Sequence, residues 1–378
     1  MRVIFNTVLC LGFTSTLWAA PRDLSFNASC NQGQDVATIS FVGDILVHRA
    51  IYESVVNGSK RFASTWQKTI PYFQKADFSV GNLEGPAALG IDAKGKDHGD
   101  IGFVYDGVVY SGTNFVFNYH PQILPELLQS GFDLLTLANN HSLDRRSIGI
   151  DRTLQAAAHY GIPTVGTRKS NDPKGDFYEI KNIQNIRVAF IGCTEMTNGM
   201  PDKYNQVLWC YKQADKIVEM IKDLSRRSDV DAIAVLPHWG DEYENGPDRD
   251  QKSYARKFLE AGATAVIGSH PHVLQPWEKY TTQDGRETLI AYSLGNFLAG
   301  QPSLEKQTGA IVYLGLSKEG QGKAKIFGVG YTPTYRDGNE IFPIEKNGNA
   351  SVLAHAAGHF GTIGRLDLQT MLSQKFCK

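Results

Sequence analysis

The stretch "AVIGSHPHVLQP", residues 265–276, sets His270 and His272 two apart, directly after a run of small and β-branched apolar residues. Such a run reads as a buried strand, and Pro271 prevents a helix from starting there. A core strand that ends by presenting two imidazoles is either a polar loop or part of a metal site, since imidazole is the commonest side-chain metal ligand. Other strand-like runs end in the same kind of residue. Residues 36–43 are followed by Asp44 and, one helical turn on, His48; residues 78–83 lead to Glu84 in "GNLEG". Residues 133–138 lead to Asn139, Asn140, His141 and Asp144 in "NNHSLD", and 231–236 to His238, Glu242 and Glu244 in "PHWGDEYE". Imidazole nitrogen with carboxylate or amide oxygen is the donor set of borderline divalent metals. The chemistry such a set supports is hydrolysis or acyl transfer by metal-activated water.

These residues meet only if the runs are parallel strands whose carboxyl ends share one edge, where ligands bind in open α/β sheets. Further strand candidates are 187–193 and 288–293, and helix candidates fill the gaps near 62–75, 121–130, 147–160, 211–226 and 250–261. After Phe297 the helical pattern stops, and 309–316 and 324–331 read as antiparallel strands. The expected fold is α/β: a layered sandwich of mixed β-sheets flanked by helices, with added C-terminal β structure. Residues 36–298 form its main domain, and 299–378 a C-terminal β extension packing on the same domain. Two insertions interrupt the alternation. Residues 86–119 are rich in Gly, Asp and aromatic residues, which suits a lid or a substrate wall. Residues 241–248, "DEYENGPD", are acidic and carry turn residues.

The composition is that of an ordinary globular chain: 378 residues, 42% hydrophobic, 20% charged, formal net charge −1. It lacks the basic excess of a nucleic-acid binder, so no nucleic-acid partner is expected. Residues 1–20 have the build of a secretory signal peptide, with cleavage near Ala19 or Ala20; an uncleaved anchor is the alternative. The expected product is soluble and exported, to a periplasm or the exterior. Cys30, Cys193, Cys210 and Cys377 then remain, an even count that permits two disulfides in an oxidising compartment. The positions favour Cys30 with Cys377 and Cys193 with Cys210; free buried thiols are the alternative.

The motifs "FVGDILVHRAI", "GNLEGP", "LANNHSLD", "PHWGDEY", "GSHPHVLQP" and "YSLGNF" (292–297) resemble, in order, those of the CapA capsule-synthesis or polyglutamate-synthesis family, which has the calcineurin-like metallophosphatase fold. The resemblance implies a dinuclear centre of divalent ions, Mn, Zn or Fe. It assigns Asp44 and His272 to a first metal, Glu84 to a bridge where the wider superfamily usually has Asp, and Asn140, His238 and His270 to a second metal. His141 corresponds to a proton donor beside the metals; Asp144 either orients it or caps the following helix. Phosphatases of this fold usually have His two residues after the first Asp, but position 46 here is Leu. His48 therefore supplies the missing nitrogen from further on, or the first site is one ligand short. Glu242 and Arg145, with Arg146 beside it, are the candidate substrate contacts, and Trp239 is expected to pack beneath the site. Three functions fit: a metal-dependent hydrolase of a capsule or envelope polymer, a phosphoesterase, or a non-catalytic partner of a capsule synthase. The implied partners are an anionic polymer or small-molecule substrate and capsule-synthesis machinery at the membrane.

Overall fold

Strands form where apolar residues continue on both faces of the chain, because each sheet here is covered on both sides. In the strand Asp35–Leu46, every residue from Ala37 onward is buried. Its alternate side chains serve different cores: Ile39 and Phe41 face a second sheet, whereas Val42 and Ile45 face helices. The computed structural model describes residues 23–377 except Gln32 and Asn114; the expected signal peptide lies outside the described residues.

The first sheet runs Glu340–Pro343, Lys325–Asp337, Thr308–Lys318, Asp35–Leu46, Phe78–Leu83, Leu134–Thr136 and Thr164–Val165, with Asn296–Ala299 also paired to Asp35–Leu46. From Asp35–Leu46 to Thr164–Val165 the neighbours are parallel; towards Glu340–Pro343 they are antiparallel. The second sheet runs Leu274–Thr281, Glu287–Leu294, Ala265–Ile267, Ala232–His238, Ile186–Thr194 and Tyr178–Ile183, parallel except at its two edges. Val80, Leu134, Phe190, Leu236 and Ile267 fill the space between the sheets, and Phe78 stacks on Phe190 at 5.4 Å. On the outer face of the second sheet, Ile233, Val235 and Val266 pack under the helices Ala214–Arg226 and Arg249–Ala261. Each such side chain contributes about 1.5–3 kcal/mol on burial. The result is the expected layered sandwich of mixed sheets between helices.

Two expectations need correction. Residues 62–75 do not form one helix but break into 3₁₀ turns at Phe62–Thr65 and Gln67–Thr69 and a short helix Ile70–Phe73. The hydroxyls of Thr65 and Thr69 bond back to the carbonyls of Phe62 and Trp66 at 2.8 and 2.7 Å, competing with the helical ladder. Helices do not stop at Phe297: Ala350–Phe360 is helical, with Val352, Ala356 and Phe360 buried at i, i+4 and i+8. Thr308–Lys318 lies beside Asp35–Leu46 within the first sheet, with Phe41 opposite Val312.

The cysteines pair as Cys30–Cys377 and Cys193–Cys210, each with Cα atoms 5.1 Å apart. Among the described residues no helix is long and apolar enough to cross a membrane. Replacing Cys193 and Cys210 together by Ser should lower the unfolding free energy by about 2–4 kcal/mol. Urea denaturation monitored by tryptophan fluorescence checks this, and a change below about 0.5 kcal/mol would assign the bridge no structural weight.

Candidate metal centre

Asp44 is placed by sheet register. It lies opposite Asn82 in one neighbouring strand and opposite Asn296 in the other. Asn82 Nδ2 donates to Asp44 Oδ1 at 2.8 Å, and the His270 amide donates to Asp44 Oδ2 at 3.3 Å. His272 Nδ1 sits 3.1 Å from Asp44 Oδ2 and 2.9 Å from Asn296 Oδ1. Asp44 and His272 form a fully buried ion pair. Burial alone would raise the Asp44 pKa, but His272 outweighs it and holds the carboxyl below its ordinary value. Burial would likewise lower His272, yet the charges of Glu84 and Asp44 push it up to about 9.

The paired histidines reach this point through an unusual backbone. His270 and His272 both have positive φ, 102° and 59°, so the chain reverses around Pro271 and both imidazoles enter the site. Gly268 permits the approach: a Cβ there would fall 2.0 Å from the Tyr292 carbonyl oxygen. His238, at the end of the neighbouring strand, lies with Nε2 3.1 Å from His270 Nδ1 and 3.0 Å from Asn140 Oδ1. Its Nδ1 is held by Ser269 Oγ at 3.0 Å and by Asn82 Nδ2 at 3.2 Å. Burial pushes His238 down to about 3 and His270 well below its ordinary value. Two neutral imidazoles thus face one point.

Glu84 lies between the two sets. It follows Phe78–Leu83 and is fully buried, and Gly85 behind it has φ 127°, where a side chain would press on Phe117 and Tyr119. Glu84 Oε1 is 3.5 Å from His238 Nε2, 3.9 Å from His272 Nε2 and 4.0 Å from His141 Nε2. Neither Glu84 oxygen has a hydrogen-bond partner. Burial, then the Asp44 charge, raise its pKa to about 8. Buried carboxylates are normally satisfied, and leaving one orphaned costs several kcal/mol. Two groups of donor atoms, Glu84–His238–His270 and Asp44–Glu84–His272, each lie within 4.8 Å of one another and share Glu84. Nitrogen and carboxylate donors around an unsatisfied carboxylate are what a first-row divalent ion requires, so the residues present fit such ions.

His141 stands beside the cluster. Its Nδ1 is 2.8 Å from Asp144 Oδ2, which also accepts the Phe117 amide at 2.7 Å. Burial would lower the His141 pKa, but Asp144 and then Glu84 outweigh it and raise it. The helix Arg146–Tyr160 has Arg145 at its N-cap with no side-chain cap, so Asp144 is not engaged there. The 86–119 insertion supplies the wall behind this pair. The Phe117 ring meets His141 edge-on at 4.6 Å, and Tyr119 Oη donates to the Glu84 carbonyl at 2.7 Å.

Three sequence candidates sit elsewhere. Arg145 is fully buried and spends its guanidinium on the carbonyls of Ile91, Val109 and Asp144, so it cannot reach a substrate. It staples the insertion to the site loop. Arg146 is exposed and reaches the Ala93 carbonyl at 3.2 Å, again within the insertion. His48 belongs to neither donor group: its Nδ1 faces the Leu46 carbonyl at 3.2 Å and the Gly300 amide at 3.0 Å. Glu242 is exposed, and its charge reaches Glu84 and the cluster imidazoles. Trp239 is buried beneath the site, donating to the Tyr292 carbonyl at 3.1 Å. Sequence reading passed over Asn82, Ser269 and Asn296. The signal was present for two of them: Asn82 is two residues before Glu84 and so shares its strand face, and Asn296 lies inside "YSLGNF".

A family model described as "Bacterial capsule synthesis protein PGA_cap" matches residues 38–301. The PGA biosynthesis protein CapA of Bacillus subtilis (strain 168) is 30% identical over 293 residues, 77% of this chain and 71% of that protein. The capsule biosynthesis protein CapA of Bacillus anthracis is 29% identical over 289 residues, 75% of this chain and 64% of that protein. Among solved structures, Haemophilus influenzae NAD nucleotidase (NadN) aligns with a TM-score of 0.49 and 12% identity, over 88% of this chain and 57% of that one. The chain therefore spans less than two thirds of the length of the anthracis relative and of the nucleotidase. The family match takes in every donor of the cluster, from Asp44 to His272, and the chain belongs to the PGA_cap family of bacterial capsule synthesis proteins.

Proposed function

We propose that the protein is an exported metal-dependent hydrolase that cleaves an amide bond in a capsule or envelope polymer of the polyglutamate kind. The observation that carries this reading is the orphaned carboxylate of Glu84, shared by two sets of metal-type donors. Asp44, Glu84 and His272 would hold one ion, and Glu84, Asn140, His238 and His270 the other. When bound, such ions polarise a scissile carbonyl and lower the pKa of water to near neutrality. The polymer class follows from the relatives, named for PGA and capsule biosynthesis. The two disulfides support folding in an oxidising compartment. The signal-like residues 1–20 support the same route.

The chain's own contribution is a positioned proton. Asp144 fixes the His141 tautomer with hydrogen on Nδ1 when the ring is neutral, and both Asp144 and Glu84 favour the imidazolium. His141 Nε2 then points toward Glu84, into the space where a leaving nitrogen would need a proton. Phe117 keeps the ring from turning and keeps water off that side. An amide is favoured over a phosphate ester by the surroundings: Arg145 is consumed on carbonyls, and Glu242 adds negative charge at the mouth. A purely polymer-holding role leaves the His141–Asp144 pair unexplained.

Protein purified without chelator should carry about one to two equivalents of first-row divalent metal. Glu84→Ala should reduce this to below about a tenth, since removing the shared donor disrupts both groups. His48→Ala should keep the metal. Elemental analysis decides, and a metal-free wild type that Mn, Zn and Fe all fail to load would remove the dinuclear reading.

His141→Ala should retain metal and lower kcat for amine release from γ-linked glutamate oligomers by about 10²–10⁴-fold, the usual worth of a positioned acid. Asp144→Asn should act in the same direction by a smaller factor. Metal loss in His141→Ala equal to that in His270→Ala would instead make His141 a ligand.

A further inference from the structure

A rim of three side chains stands over the His272 side of the cluster. Tyr243 has positive φ, 69°, its amide donates to the Pro271 carbonyl at 2.8 Å, and its ring lies 6.1 Å from His272. The Lys306 ammonium sits 3.7 Å over that ring. Among the described residues no carboxylate forms a salt bridge with it. Its backbone is fixed from the site itself, because Asn296, the partner of His272, donates to the Lys306 carbonyl at 2.8 Å and to Gln301 Oε1 at 2.9 Å. Gln301 Nε2 in turn donates to the Tyr243 hydroxyl at 3.2 Å. The Glu242 carboxylate, next in the chain to Tyr243, lies against the same hydroxyl. Its loop is anchored in two ways. Gln275 Nε2 donates to the Glu244 carbonyl at 2.9 Å, and Asp248 closes a capping box with Gln251.

One cation over the face of an aromatic ring and one anion at the same ring's hydroxyl, beside the centre, match a ligand that carries both charges close together. We propose that Lys306, Tyr243 and Glu242 recognise a free amino-acid end group, with its carboxylate on Lys306 and its ammonium on Glu242. The centre then acts at the terminus of its polymer. This rests on the hydrolase reading for the act of cleavage, but not for the recognition. Internal residues of a γ-linked chain offer a carboxylate and no ammonium, so they satisfy only half of the rim. Tyr243 supplies the floor, since an aromatic face attracts the ammonium as it already attracts Lys306.

The test is calorimetric binding to the metal-loaded full chain, using γ-glutamylglutamate, its N-acetyl form, and the analogue whose amino-terminal residue has a carboxamide in place of the α-carboxylate. In the wild type each blocked probe should bind at least about tenfold more weakly than the free dipeptide, because one charge of the rim is left unmatched. Lys306→Met should erase the penalty for the carboxamide while keeping that for acetylation, and Glu242→Gln should do the reverse. Equal affinity of the three probes for the wild type, uniform weakening of all three in both variants, or no binding at all would overturn the proposal. Hydrolysis is followed separately on the same probes and on long polymer. Cleavage of long chains with no dependence on free ends removes the rim assignment and leaves the hydrolase. End-group-dependent binding without turnover keeps the rim and removes the hydrolase.

Discussion

The carboxylate of Glu84 is the constraint around which the molecule is arranged. A carboxyl group fully removed from water, with neither oxygen bonded, is costly to fold around. The chain nevertheless brings the ends of four strands from two sheets to bear on it. Asp44 and Glu84 come from adjacent strands of the first sheet, and His238 and the His270–His272 loop come from the second. The packed layer between the sheets, with Val80, Phe190, Leu236 and Ile267, holds those ends together. The site is thus built on strand ends at one edge of that core.

The same logic explains the polar residues that touch no donor point directly. Asn82 bridges Asp44 and His238, so one amide spans the first and second sheets. Asn296 joins His272 to the segment that carries Gln301 and Lys306. Ser269 fixes the far nitrogen of His238. Each orients a donor by its second atom, the usual means of setting ring angle and tautomer in metal centres.

Much of this was legible before any coordinates. The strands at 36–43, 78–83, 187–193, 231–236 and 288–293 announced themselves because they are apolar on both faces, and the donors stood at their ends. What periodicity could not show was the register that sets Asn82 and Asn296 on either side of Asp44, since cross-strand pairing is a tertiary property. Arg145 was misread for a related reason. Its charge beside the donor motif suggests a substrate contact, but the carbonyls of the long insertion, distant in sequence, surround it. The helix Ala350–Phe360 is hard to read because Gly358 and two histidines dilute its apolar stripe.

The position of Thr308–Lys318 against Asp35–Leu46 has a consequence in time as well as space. Asp35–Leu46, the first strand among the described residues, finds its antiparallel neighbour only after more than 270 residues, counted from Leu46 to Lys318, have followed it. Contacts so distant in sequence make folding slow and late. Asp44 and Glu84 therefore wait, without their sheet completed, through nearly the whole of synthesis. A centre that needs these carboxylates together with His238, His270 and His272 is assembled only late in that sequence of events. On the metal reading, availability in the compartment where the last strands arrive would decide which ion the donors take, and the topology itself would defer that choice.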